Sequence, residues 1–442
     1  MVTTASPASG RYLEPDIELA DRPTIEGWQQ ERLLESVERT LARSAFHNDL
    51  WKRAGVNPGE IQSVPDFTER APAFVQDDVT AWAGAHGDPF GGLLCLEPHE
   101  VTFIGSTSGT TGTPMALPQY ADNPRIVSSC RDMWEEGIRP GETILRTSIV
   151  SRHGIVSWSD AVIERLGLDV VTLDNNPANA AAVIEASERF APVSYNIISR
   201  PMMAALEELA RVRGTDLVSA FASYRAVSFG GEPLGADGQA RLESWFSRVR
   251  RQTSLGNTIA AVECLEGDGC HTYEDLVYVE VVDPDTRVAV PEGQVGELVV
   301  TTLRETAMPL LRFATEDLVR YTSERCGCGR THGRIWTLGR RGDGVKVAAQ
   351  TVLPAALLPL LAQLPETSSG LFQLVVTSDT SVLNLRVGRT DGRSDAELAP
   401  AIAEVIYDGL GVQCEVELVA NDALVSSGPG YKIQRVVREV LP

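Results

Sequence analysis

The chain has 442 residues, too many for a single hydrophobic core, so two or more domains are expected. Its 39 Lys and Arg against 60 Asp and Glu leave a net charge of −21. That charge is spread along the chain and disfavours non-specific contact with nucleic acid or an anionic membrane, without excluding an anionic small molecule in a local cationic pocket.

No apolar run approaches the roughly 18 residues of a spanning helix, so no membrane partner is expected. The opening stretch Met1–Pro7 has no basic region followed by an apolar core, which argues against a secretory signal and makes the cytoplasm the expected compartment. Seven cysteines, an odd number in a large chain of this kind, argue against a disulfide framework.

In chain order, Leu33, Leu34, Val37, Leu41 and Ala45 recur at helical spacing and predict one or two amphipathic helices across 25–54, ending before Gly55. The run Val101–Ile104 reads as a buried strand. It leads into Ser106, Thr107, Ser108, Gly109, Thr110, Thr111 and Gly112, then Thr113 and Pro114. Glycines at 109 and 112 allow sharp turns that expose N–H groups, and five hydroxyls add donors, which suits a polyphosphate. Gly-Lys-Ser/Thr is absent, so this is not a P-loop; taken alone, such a string is equally a flexible linker.

From about 100 to 250, short β-branched runs alternate with helical patterns. Strands are expected at 144–150, 168–173, 195–198 and 224–229, with helices at 178–190, 201–212 and 235–249. This alternation predicts an α/β fold with a mainly parallel sheet flanked by helices and ligands at the C-terminal strand ends. Phe229, Gly230, Gly231, Glu232 and Pro233 follow one such strand. From 277 the texture becomes antiparallel, around the turn Asp283-Pro284-Asp285. After the Gly-rich 339–344 a compact α+β unit is expected, dividing the chain into residues 1–339 and a small, mobile 340–442.

Several segments in order make the chain similar to one family. They are the Ser/Thr/Gly stretch, Phe229-Gly230-Gly231-Glu232-Pro233, Met308-Pro309-Leu310-Leu311-Arg312-Phe313, Asp317-Leu318, Cys326-Gly327-Cys328-Gly329, Gly339-Arg340 and Lys432-Ile433-Gln434-Arg435. Together they resemble the phenylacetate–CoA ligase-like branch of the adenylate-forming enzymes, which use ATP and Mg2+ to turn a carboxylate into an acyl-AMP. The resemblance implies that Ser106–Gly112, Gly231, Glu232, Pro233, Asn257 and Thr258 bind the nucleotide and that Asp317 takes the ribose hydroxyls. It implies further that Arg340 at the linker contacts ribose or phosphate, and that Lys432 bridges the carboxylate and the α-phosphate. It also implies a structural Zn2+ held by Cys264, His271, Cys326 and Cys328, with Cys270 and His332 as nearby spares. A homodimer is a further expectation.

The chain also departs from that family. Thr113 stands where a lysine is usual, and Leu255 and Ile259 stand where an aromatic and a magnesium-holding glutamate are usual; Glu263 is a candidate substitute. Ala348-Ala349-Gln350-Thr351 replaces a stretch that lines the pantetheine tunnel, so CoA is an uncertain acceptor. Arg152, His153, Gly154, Trp158, Phe229 and Gly230 are the expected substrate pocket, with Trp158 and Phe229 against an aryl ring. The expected activity is ATP-dependent adenylation of an aromatic, amino- or hydroxy-substituted acid in bacterial secondary metabolism. Its rivals are plain aryl-CoA ligation, activation of nitrite to diazotise an aryl amine, and a degenerate, non-catalytic nucleotide-binding homologue.

Overall fold

The computed structural model describes residues 10–106, 116–148, 155–256, 258–348, 350–378, 380–426 and 432–438. The helical periodicity near the N-terminus becomes two helices, Arg22–Arg43 and Ala45–Ala54. Asp21 and Ser44 cap their N-termini, and Gly55 ends the second in the left-handed conformation. Their apolar faces bring Leu33, Val37 and Trp51 against Phe67 and Leu311.

The first strands, β1 (Phe103–Ser106) and β2 (Ala116–Gln119), form a separate antiparallel hairpin paired from Phe103↔Gln119 to Ser106↔Ala116. The expectation of a buried strand at Val101–Ile104 fails. Phe103 and Ile104 are about half exposed because a two-stranded ribbon has no further layer over this face.

The α/β expectation holds. Strands β3 (Thr143–Ser148), β4 (Asp169–Asp174), β5 (Ser194–Ile198), β6 (Ala226–Gly230) and β7 (Val249–Leu255) are parallel, in the order β4-β3-β5-β6-β7. Helices Ala180–Phe190 and Arg200–Arg213 pack on them through Val183, Met202, Met203 and Leu206. The helix expected over 235–249 stops at Glu243, and Val249 begins β7 instead. Arg250, Gln252 and Ser254 alternate along that strand with a period of two, which a helix reading misses.

The antiparallel strands continue the same sheet. They are β8 (Ile259–Glu263), β9 (Cys270–His271), β10 (Val277–Val282), β11 (Gly296–Thr302), β12 (Phe313–Thr322) and β13 (Arg334–Arg340). After a short hairpin of β14 (Val345–Val347) and β15 (Gln350–Val352), a four-stranded sheet of β16 (Phe372–Val376), β17 (Leu383–Arg389), β18 (Cys414–Ala420) and β19 (Val436–Arg438) packs against the helix Asp395–Leu410. Leu374, Leu385, Ile402 and Ile406 form its own core. Among the described residues, no helix is long and apolar enough to cross a membrane.

The helix Pro124–Glu135 lies over the sheet and is tied down by charge. Arg131, fully buried, makes two bonds to Asp275 (2.8 and 3.0 Å) and one to Glu14 (2.7 Å). Removing a buried partner strands two carboxylates, which typically costs about 3–5 kcal/mol. Arg131→Ala is therefore expected to lower the chemical-denaturation midpoint clearly, whereas the exposed Arg211→Ala leaves it within error.

Candidate active site

A single cavity of 620 Å3 runs from the C-terminal ends of the parallel strands to the four-stranded sheet. Its size suits a nucleotide and a small acid together. Residues brought to it from six separate parts of the chain include Ser106, Gly230–Pro233, Thr258, Asp317, Arg340 and Lys432. Residues 107–112, 152–154, 257 and 349, singled out from the sequence, lie outside the described residues.

On β6 the side chains alternate. Ser228 and Gly230 line the cavity, so Phe229 points the other way into the helix-covered core. Phe229 is therefore not a pocket residue, contrary to the sequence reading; Trp158 is. Gly230 must be glycine here, because a Cβ would meet Gln252 Cγ at 2.8 Å, and Gly231 turns the chain with φ +93°.

Glu232 then folds into a buried clasp. It accepts from Arg200 Nε (3.2 Å) and Arg435 Nε (3.0 Å). Arg435 also donates to the carbonyls of Gly370 and Phe372 and lies over the Phe372 ring. Burial pushes the Glu232 carboxyl up, but Arg435, Arg200 and Lys432 outweigh it and hold it below its ordinary value. Lys432, three residues before Arg435, thereby reaches the cavity.

Asp317 and Arg340 face each other across β12 and β13 in register, with Arg340 Nε 3.5 Å from Asp317 Oδ1. Just before Asp317, Glu316 adopts φ +64°, a left-handed conformation that interrupts the strand alternation where Thr315, Glu316 and Asp317 all reach the cavity. Arg340 donates to Thr315 O (3.1 Å) and Glu316 Oε2 (3.2 Å), bracing this irregular turn. Burial pushes Asp317 up to about 6, with Arg340, Thr315 and Lys432 pulling against it.

Glu263 does not substitute for the missing glutamate. Its carboxylate is engaged by the Arg251 guanidinium and by Arg251 N (3.0 Å), and it does not line the cavity. Ile259 faces the antiparallel core. A carboxylate the sequence reading missed, Glu305, does line the cavity, but its Oε1 already accepts from Tyr120 Oη, Ala307 N and Met308 N. Arg200, Arg435 and the polar face of the helix Pro124–Glu135 were also missed. The helix face carries a signal, the i, i+4, i+7, i+11 stripe Arg125, Ser129, Asp132 and Glu136, which places polar groups where an ordinary core helix has apolar ones.

Away from the cavity, Cys264, His271, Cys326 and Cys328 converge, buried, with donor atoms within 4.8 Å of one another. Cys264 Sγ lies 3.6 Å from Cys326 Sγ, and Cys328 Sγ lies 3.5 Å from His271 Nε2. A tetrahedron with Zn–S bonds of about 2.3 Å has S···S edges of about 3.8 Å, so the set fits a closed four-coordinate zinc. His271 Nδ1 donates to His332 O (3.1 Å), which turns the Nε2 lone pair toward the sulfurs. The spare ligands fall away. Cys270 lies on the opposite face of β9, among the antiparallel core, and His332 is held by Glu274 N (2.9 Å) and Ile17 O (3.0 Å).

Comparison with known proteins agrees with this geometry. The AMP-binding enzyme family matches residues 93–304. A phenylacetate–coenzyme A ligase of Thermus thermophilus is 29% identical over 96% of this chain and 98% of its own. Crystal structures of a 2-hydroxyisobutyryl-CoA ligase with 2-HIB-AMP are 26% identical, covering 99% of this chain and 94% of theirs. The TM-score is 0.86 for its postadenylation state and 0.71 for its thioesterification state with CoA. These matches support an AMP-forming ligase and make the chain similar to the phenylacetate–CoA ligases.

The clasp makes a structural prediction of its own. Glu232→Gln leaves Arg200 and Arg435 without a buried counter-charge. Hydrogen–deuterium exchange is therefore expected to rise at 432–438 and at 370–372, while exchange in β3 and β5 stays unchanged.

Proposed function

We propose that this ligase adenylates an aromatic carboxylic acid bearing a polar amino or hydroxy substituent. In this reading residues 1–339 hold ATP and the acid, and 340–442 act as a lid that delivers Lys432. The observation that carries it is the convergence of Asp317, Arg340 and Lys432 on a cavity that Trp158 also lines. The Arg125 guanidinium lies 4.6 Å from the Trp158 ring centroid.

The chemistry follows from those positions. One carboxylate oxygen of the acid attacks the α-phosphorus of ATP, and the bond to the β-phosphate oxygen breaks to release pyrophosphate. The acid is already ionised at neutral pH, so no side-chain base is needed. Lys432 places a cation between the two reacting groups where negative charge concentrates in the transition state. Asp317 orients the nucleotide by accepting from its ribose hydroxyls, and Arg340 holds Asp317 in place. Mg2+ would neutralise the leaving pyrophosphate when bound. The better fit to the postadenylation state than to the thioesterification state supports assigning this arrangement to the first half-reaction.

A second reading, thioester formation with CoA, is favoured by the full-length match to a phenylacetate–coenzyme A ligase. The tunnel departure at 348–351 opposes it, and product mass separates the two. Zinc at Cys264, His271, Cys326 and Cys328 would be structural, since three sulfurs and an imidazole leave no open position for substrate.

ATP-dependent pyrophosphate release is expected with at least one substituted aromatic acid. Lys432→Ala is expected to lower that rate about 10²–10³-fold while the protein stays folded. No release with any acid, or an unaffected Lys432→Ala, would overturn the adenylating role. Metal analysis of purified protein is expected to give one zinc per chain. Cys326→Ser is expected to lose it and to melt at lower temperature, because structural zinc binding is folding free energy.

A further inference from the structure

The helix Pro124–Glu135, the residue that follows it and β7 all contribute to the wall of the cavity. Asp132 and Glu136 sit one helical turn apart, both line the cavity and both are more than nine-tenths buried. Each uses only one carboxylate oxygen. Asp132 Oδ1 accepts from Tyr273 Oη, and Glu136 Oε2 accepts from Arg250 Nη1 at 3.1 Å. Asp132 Oδ2 and Glu136 Oε1 have no partner among the described residues.

Arg250 is engaged through every nitrogen, with Nε to Glu263 O, Nη1 to Asp132 O and Glu136, and Nη2 to Glu135. Behind this wall Glu135 takes up Arg11, Arg250 and Arg330, and Arg330 also serves Glu18. Burial accordingly pushes Asp132 up to about 7, against the pull of Arg250, Tyr273 and Arg330. Two buried acceptors left open on a substrate cavity are costly unless the ligand completes them.

We infer that Asp132 and Glu136 form a specificity subsite that reads an amino group on the ring of the acid, at the end remote from its carboxylate. The inference rests on the adenylating role proposed above and narrows its substrate class. An amino nitrogen offers two N–H donors from one atom and can serve both open oxygens. A hydroxyl offers one donor and leaves the second acceptor stranded. The unsubstituted acid leaves both stranded, and sites built around buried hydrogen-bonding groups reject such analogues strongly.

The test is equilibrium binding by calorimetry with the full-length protein, using matched probes: benzoate, 3-hydroxybenzoate, 3-aminobenzoate and 4-aminobenzoate, and phenylacetate with 4-aminophenylacetate. At least one amino acid of the set is expected to bind ten- to a hundredfold tighter than its unsubstituted parent and several-fold tighter than the hydroxy analogue. Asp132→Asn and Glu136→Gln, tested separately so that misfolding of one does not decide the matter, are each expected to lower that affinity about tenfold. Either should move the parent acid by less than twofold. The subsite is overturned if the parents bind as tightly as the amino acids, if the hydroxy analogue matches them, if the preference survives in both variants, or if no probe binds. Pyrophosphate exchange with the same acids is the separate arm. Binding preference without exchange would sink the adenylating role and leave the subsite standing; exchange without preference would do the reverse.

Discussion

The architecture depends on a set of guanidinium–carboxylate contacts buried beneath the helix Pro124–Glu135. Arg131 fixes the helix to Asp275 and to Glu14 of the N-terminal segment. Arg250 reaches from β7 to Glu135 and Glu136, and Arg330, beside Cys328, reaches Glu18 and Glu135. A cysteine–histidine cluster, an N-terminal strap, a sheet and a cavity wall are thus parts of one electrostatic unit. Such pairs stabilise little against an apolar replacement, but breaking any one of them is costly. Their contribution is therefore to fix geometry, holding a polar wall of the cavity in place.

The division of labour along the sheet follows from its topology. Parallel strands end together, so β5, β6 and β7 deliver backbone and small polar side chains to one edge. The antiparallel half returns to the same edge through β12 and β13, which is how Asp317 and Arg340 meet the Gly-Gly-Glu-Pro turn. The segment leading into β19 adds Lys432 and Arg435 to the cavity. The parallel-sheet part and the four-stranded part meet through charge, at Glu232 with Arg435, and through apolar packing of Ala204 against Leu371, Leu424 and Ile433.

Much of this was legible in the sequence, for identifiable reasons. Alternating β-branched runs and helical stripes mark the parallel half because those strands and helices obey simple periods. The Cys-x-Cys pair and Cys264 with His271 announced themselves by residue type. Phe229 was misread because β6 must be phased before one knows that Ser228 and Gly230, not Phe229, see the cavity. The clasp at Glu232 was invisible because it joins residues 203 positions apart. The acidic wall was hidden because Asp132 and Glu136 read locally as the solvated face of a helix. Only packing reveals that this face is covered.

Glu316 carries a consequence of another kind. A non-glycine residue held at φ +64° sits about 1–3 kcal/mol above relaxed backbone. That tension is spent next to Asp317 and Arg340, which pair across β12 and β13 at the cavity. Sequence drift toward glycine at this position would relieve the chain and, at the same time, release the carboxylate that anchors Arg340 Nη2. Robustness and alignment pull in opposite directions at residue 316, so this one turn marks where the enzyme has traded durability for aim.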